Sequence, residues 1–140
     1  MEIANDLHAV AIALLRTVRR EDDALGLTSA RLSALSVLVF AGPKTLGELA
    51  AIEQVSLPTM TRIAAALCKA GHVRRIIDPA DRRYVRLEST RSGERLLEEG
   101  RRRRVARVAA IVEGLSPKEL LACGVALDAL RNAISSRGTR

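Results

Sequence analysis

One stretch of this chain breaks an otherwise helical pattern. Val73 to Ile77 and Tyr84 to Leu87 are short runs rich in strand-favouring residues, separated by Asp78-Pro79-Ala80-Asp81. Two such runs around a turn-forming tetrapeptide predict a β-hairpin. The tip of that hairpin carries Arg82 and Arg83, so it is both polar and basic. Everything else has to be read as helix arranged around it, and the expected fold class is mainly α with one small β-hairpin.

The helices announce themselves by period and by caps. Ile3, Leu7, Val10, Leu14 and Val18 recur at steps of four and three, which predicts a long amphipathic helix over about residues 3 to 22, ending near Gly26. Thr28 can cap a second helix with Leu32, Leu35 and Val39 on its buried face, stopped by Gly42-Pro43. Thr45-Leu46-Gly47-Glu48 has the spacing of a capping box, in which hydroxyl and carboxylate each satisfy the other residue's free N–H, and it starts a short third helix. Ser56 opens a fourth, with Pro58 in the first turn where a missing N–H is harmless. Its inner face is expected to hold Leu57, Met60, Ala64 and Leu67, and Gly71 ends it. Past the hairpin, Thr90 can cap a fifth helix running to about Gly114. Ser116-Pro117-Lys118-Glu119 is a second capping box, and the sixth helix it begins carries Leu120, Leu127, Leu130 and Ile134. No internal repeat or low-complexity linker interrupts this order, so residues 1–140 read as one domain, with Ser135 to Arg140 frayed.

Composition narrows the possibilities. Hydrophobic residues make up 48% of the chain, yet Phe40 and Tyr84 are its sole aromatics, so the core must be built from Leu, Val, Ile and Ala, a palette that favours packed helices. A length of 140 residues suits one ordinary domain with a core of moderate extent. No run approaches the roughly 18 to 20 apolar residues that would span a bilayer. Met1 is followed by acidic Glu2 and Asp6 where a leader peptide would be basic. The expectation is a cytoplasmic protein without a membrane partner. Cys68 and Cys123 have neither paired spacing nor histidines placed for a metal, so no disulfide, metal or cofactor is expected. Twenty-three basic residues against sixteen acidic give a formal charge of +7, which suggests a polyanionic partner.

A short helix, a tight turn and a second helix with a polar outer face, followed at once by a basic hairpin, form the order of a winged helix-turn-helix. With the apolar residues of the fourth helix turned inward, Pro58, Thr59, Arg62 and Lys69 face outward and Ser56 and Thr61 flank them. A helix of this kind fits the major groove, where hydroxyls and an arginine fork can meet base edges and phosphates. Arg82 and Arg83 on the hairpin can reach the neighbouring minor groove, whose negative potential is strongest where it is narrow. Asp81, being acidic, is better suited to orient an arginine than to touch DNA.

Three stretches resemble the MarR (multiple antibiotic resistance regulator) family in order and spacing. They are Leu27-Thr28 through Gly42-Pro43 to Thr45, Glu48, Leu49 and Ala50; Thr61-Arg62 through Leu67 to Gly71 and Val73-Arg74-Arg75; and Asp78-Pro79-Ala80-Asp81-Arg82-Arg83 with Leu87, Thr90 and Gly93. The last is the most specific, although Glu88-Ser89 replaces the more usual apolar-or-basic residue and Leu before the Thr. The resemblance covers essentially the whole chain. It implies a winged helix-turn-helix lobe at about 28–93, dimerisation helices at about 1–25 and 94–137, and a triangular homodimer on a palindromic operator in double-stranded DNA. Residue by residue it implies DNA contacts for Ser56, Pro58, Thr59, Thr61 and Arg62 on the recognition helix and for Arg82 and Arg83 on the wing, with Asp81 bracing the wing. The function implied is transcriptional regulation, most often repression, with release by a small-molecule effector bound between the dimerisation helices and the DNA-binding lobe. Regulation without a ligand, or by oxidation, stays open as the alternative.

The remaining reactive residues read as structural. Arg101 to Arg104 point in four directions around a helix and cannot form one DNA-reading stripe, so a solvated or inter-helix role is expected. Cys68 and Cys123 suit small core positions, and His8 and His72 lack partners at metal or catalytic spacing. Nothing has the nucleophile–base spacing, glycine-rich phosphate loop or metal cluster of an enzyme. Few aromatic platforms are present to stack a phenolic effector.

Overall fold

Hydroxyl side chains punctuate the chain where the sequence puts them. The computed structural model describes residues 1–137. After α1 (Glu2–Ala24), Thr28 accepts the Arg31 N–H and opens α2 (Ser29–Ala41). Thr45 ends the two-residue strand β1 (Lys44–Thr45) and caps α3 (Leu46–Glu53), taking the Glu48 N–H while the Glu48 carboxylate accepts its own. Ser56 accepts the Thr59 N–H and opens α4 (Leu57–Lys69). Each cap satisfies a donor that a helix leaves unpaired in its first turn. Between α3 and α4, Gln54 takes the left-handed conformation at φ 54°, and the Gln54 and Val55 N–H groups close the corner onto the Ala51 and Ala50 carbonyls. The chain continues through β2 (Val73–Ile77), β3 (Val85–Ser89), α5 (Arg91–Val112) and α6 (Pro117–Arg137).

The strands form one antiparallel sheet in the order β1-β3-β2. Pairing of β2 with β3 runs from Val73 opposite Ser89 to Ile77 opposite Val85, and β1 sets Lys44 opposite Leu87 and Thr45 opposite Arg86. Two features depart from expectation. The second hairpin strand starts at Val85 and reaches Ser89, because the Tyr84 N–H turns back to the Asp81 carbonyl and so belongs to the turn. Strand β1 was not foreseen, since two residues carry no alternation to read. The fold is nonetheless mainly helical with a small sheet, the winged-helix arrangement.

In the unit spanning Met1–Arg104 the core gathers Leu35, Leu49, Met60, Leu67 and Leu87, all fully buried, with Ala34, Leu38, Ala64, Val73 and Leu97 around them. The inner face of α2 is Ala34, Leu35 and Leu38, while Leu32 and Val39 are only partly covered. On α4 the expectation for Leu57 fails: it is 53% exposed. Met60, Ile63, Ala64 and Leu67 make the true stripe at i, i+3, i+4 and i+7, and Leu57 lies roughly 70° around the helix from its middle. The arginine run divides its work as expected. Arg101 pairs with Glu98 and Arg102 and Arg103 share Glu99, all on α5 itself, while Arg104 reaches the buried Asp22 of α1.

The second unit begins at Val105. In it the Ser116 N–H and hydroxyl donate to the Glu119 carboxylate and the Glu119 N–H returns to Ser116 Oγ, the second capping box. Leu121, Val125, Leu127 and Ile134 of α6 are exposed. Helix α6 continues through Arg137, so the end is not frayed from Ser135; positions 138–140 lie outside the described residues. Among the described residues no single helix is long and apolar enough to cross a membrane.

The start of α5 is clamped to the α4–β2 corner by Thr90. Its N–H donates to the His72 carbonyl (3.0 Å), its hydroxyl donates to the Gly71 carbonyl (2.6 Å), and the same oxygen accepts the Gly93 N–H (3.2 Å). A Cβ on Gly93 would run into the His72 carbonyl oxygen and press on Leu35 Cδ1 at 3.0 Å. Gly93→Ala should therefore destabilise the fold by about 1 to 3 kcal/mol. Gly47→Ala, whose added carbon meets nothing within 4 Å, should be neutral or slightly stabilising. Urea denaturation of the two variants checks this, and equal effects would contradict the clamp.

Candidate nucleic-acid interface

The outward side of α4 combines hydroxyls of different capacity. Ser56, Pro58, Thr61 and Arg62 are exposed, and Thr59 is half-buried. Ser56 Oγ donates to Thr59 Oγ1 (2.9 Å), and Thr61 Oγ1 donates to the Leu57 carbonyl (2.8 Å). A hydroxyl owns a single proton, so Ser56 and Thr61 have committed theirs and Thr59 has not. Toward a nucleic acid, Thr59 can donate to a phosphate or to a base acceptor. Ser56 and Thr61 can accept from an adenine or cytosine amino group. Arg62 makes no ion pair among the described residues, which leaves its fork of donors available.

The hairpin tip is built from two aspartate turns in series. Asp78 Oδ1 accepts the Ala80 N–H (2.8 Å), and Asp81 Oδ1 accepts the Arg83 N–H (3.0 Å). The backbone closes around them through Asp78 N–H to the Tyr84 carbonyl (2.9 Å). The Asp81 carboxylate also grips the Arg83 guanidinium, with Nη2 2.8 Å from Oδ2 and Nε 3.0 Å from Oδ1. Arg82, next along, is exposed and pairs with no carboxylate among the described residues. Of the two arginines singled out at the tip, one is thus held and one is free.

A second pair in the wing escaped the sequence reading. Arg86 Nε donates to Asp78 Oδ2 at 2.6 Å, and Asp78 is only 9% exposed. Asp before Pro is a turn signal in its own right, but its charge partner depends on the strand register. The same holds for Arg74 and Glu88, which face each other across β2 and β3 with Nε 2.7 Å from Oε2. Glu88, unusual beside the MarR pattern, is therefore accommodated by its cross-strand neighbour.

Electrostatics follow from these bonds. The Ala80 amide, and after it the Arg86 guanidinium, hold the Asp78 carboxyl below its ordinary value. The Arg83 side chain and amide do the same for Asp81. In return Asp81 raises the Arg83 guanidinium, and Asp78 raises that of Arg86.

Elsewhere in the same unit a cavity of about 640 Å³ is lined by Leu15, Leu32, Val39, Phe40 and Leu97, with the Asp22 and Arg104 side chains at its wall. Phe40 is 83% exposed at this site. Cys68 and Cys123 are free thiols, each half-buried, and His72 Nδ1 lies 3.1 Å from Ser92 Oγ.

Comparison with known proteins points one way. The sequence profile of the MarR family matches residues 27–85. An uncharacterized HTH-type transcriptional regulator of Mycobacterium bovis is 36% identical over 102 residues, covering 73% of this chain and 71% of its own length. Among solved structures, the transcriptional regulator Tm0710 from Thermotoga maritima superposes with a TM-score of 0.87 at 27% identity, over 99% of this chain and 98% of that one. A MepR mutant of S. aureus, solved bound to an oligodeoxyribonucleotide, superposes with a TM-score of 0.78 over 94% of this chain and 97% of its own; at 18% identity the likeness is one of fold.

Carboxyl titration by NMR tests the wing's bonding. Asp81 should titrate below the 3.8 of an unconstrained side chain, and Arg83→Gln should raise it. Because the folded value is depressed, the order that Asp81 lends the turn is complete above the unconstrained value and is lost as pH falls through the lowered one. An Asp81 that titrates at 3.8 or above contradicts the brace.

Proposed function

Since the chain belongs to the MarR family of transcriptional regulators, we propose that it binds double-stranded DNA as a homodimer and represses transcription from a palindromic operator. One observation carries the reading: within a single unit, a polar helix face on which Thr59 keeps its proton and Arg62 makes no ion pair among the described residues adjoins, in sequence, a basic hairpin whose turn is stiffened by its own aspartates. Helix α4 enters the major groove, and Ser56, Pro58, Thr59, Thr61 and Arg62 meet phosphates and base edges there. The hairpin lays Arg82 and Arg83 in the minor groove, and Asp81 lowers the freedom that Arg83 must surrender on binding. The protein acts by binding and not by catalysis, in the cytoplasm where the DNA is.

Residues of about 1–25 and 94–137 serve as dimerisation helices around the DNA-binding lobe at about 28–93. Exposed Ile3, Leu7 and Val10 on one face of α1 support this, as do Leu120, Leu127 and Ile134 on one face of α6, because apolar stripes of this kind are seldom left to water. The cavity beside α2 has the size of a small-molecule site and is the place for an effector.

Selection of duplexes from a random pool, followed by salt titration, tests the assignment. Arg62→Ala should weaken the best site by about 1 to 3 kcal/mol and leave a scrambled duplex nearly unaffected. Arg82→Ala or Arg83→Ala should weaken both duplexes and lower the slope of log affinity against log salt by about 0.9 per lost contact, roughly twice that for a symmetric dimer. Wing variants with wild-type affinity and slope on both duplexes would remove the hairpin from the interface. Sedimentation at micromolar concentration should show a dimer, and a monomer would overturn the proposed assembly.

A further inference from the structure

We propose that Arg86 is the positioning residue of the wing: it ties the base of the hairpin to the start of the helix-turn-helix and acts on DNA binding through the aim of Arg82 and Arg83, not through a phosphate contact of its own. The proposal rests on the DNA-binding reading above. Strand β3 is the middle strand, and at Arg86 it pairs with Ile76 of β2 on one side and Thr45 of β1 on the other. Thr45 is the residue at which α3 begins. From this position the Arg86 guanidinium grips Asp78, whose other oxygen makes the first bond of the tip. The Thr45 amide holds the Glu48 carboxyl below its ordinary range, and the charge of Arg86 adds to that attraction. Arg86 therefore bonds the wing through its guanidinium, while its backbone lies opposite the residue that caps α3.

Its burial agrees with a holding role. The Arg86 side chain is 38% exposed against 87% for Arg83 at the tip. Leverage makes the hold matter. Even fully extended at about 3.3 Å per residue, the tip stands at most roughly 13 Å from Arg86. A swing of about 10° at the base then moves Arg82 by up to roughly 2 Å, more than the whole working range of a hydrogen bond.

The test uses the full chain and the duplex it selects. Asp78→Asn keeps the oxygen that accepts the Ala80 N–H and removes the charge; Arg86→Gln removes the other partner. Each should weaken binding by about three- to tenfold, and the double variant should be no worse than the weaker single. In the Asp78→Asn background Arg82→Ala should cost far less than in wild type, while Arg62→Ala should cost as much as before. Arg86→Lys should recover part of the loss, because it keeps the charge without the fork. A readout free of DNA is backbone ¹⁵N relaxation: amides 80–84 should gain motion in Asp78→Asn while those of α4 do not change. If Arg86→Gln lowers the melting temperature sharply, Asp78→Asn and Arg86→Lys carry the test. A phosphate-contacting Arg86, released by Asp78→Asn, would bind as tightly as wild type or tighter, and that result overturns the proposal. Undiminished cost of Arg82→Ala in that background overturns it as well. Should wild type select no duplex, the DNA-binding reading fails and this proposal with it; wild-type binding with unaltered Asp78→Asn and Arg86→Gln defeats the positioning role alone.

Discussion

Strand β3 is paired on both edges, and the winged-helix part of the chain depends on that. Through β2 it forms the hairpin; through β1 it fastens the hairpin to the residues that open α3. An isolated two-stranded hairpin is marginal in water, so a third strand of even two residues matters. Leu87, opposite both Lys44 and Arg75, turns into the core and is fully buried beside Leu35, Leu49, Met60 and Leu67. The helices thus hold the sheet by its apolar middle, while Arg86 next to it holds the sheet by charge.

What could be read from the sequence was whatever is decided locally. Thr28, Thr45, Ser56, Thr90 and Ser116 each cap a helix start through an N–H three residues on, as expected, although Thr90 also reaches back to Gly71 and His72. The Asp81 brace is similarly short in range, since it grips a residue two positions away. Interactions that depend on register were not legible. The Asp78–Arg86 and Arg74–Glu88 pairs need the two hairpin strands aligned first, and β1 is recognisable only by the partner it meets. Leu57 departs for a related reason: hydrophobicity marks it as core, but the angular centre of the stripe lies between Met60 and Leu67, roughly 70° away.

The same distinction sorts the arginines of the hairpin. Arg74, Arg83 and Arg86 each have an acidic partner, whereas Arg75 and Arg82 have none among the described residues. The local excess of positive charge is therefore smaller than a count of basic residues suggests, and it is concentrated in fewer places. Long-range attraction toward a polyanion comes from the unpaired groups, while the paired ones supply shape.

At the tip the shape is written in carboxylate oxygens and main-chain amides, with no hydrogen bond or ion pair from the side chains of Ala80 or Arg82 among the described residues. Such a turn behaves as a cassette. Substitutions at those two positions change what the hairpin offers to a surface without changing the path of the chain. Positions 78 and 81 have less latitude, because a residue at either must still offer a side-chain oxygen to the Ala80 or Arg83 N–H.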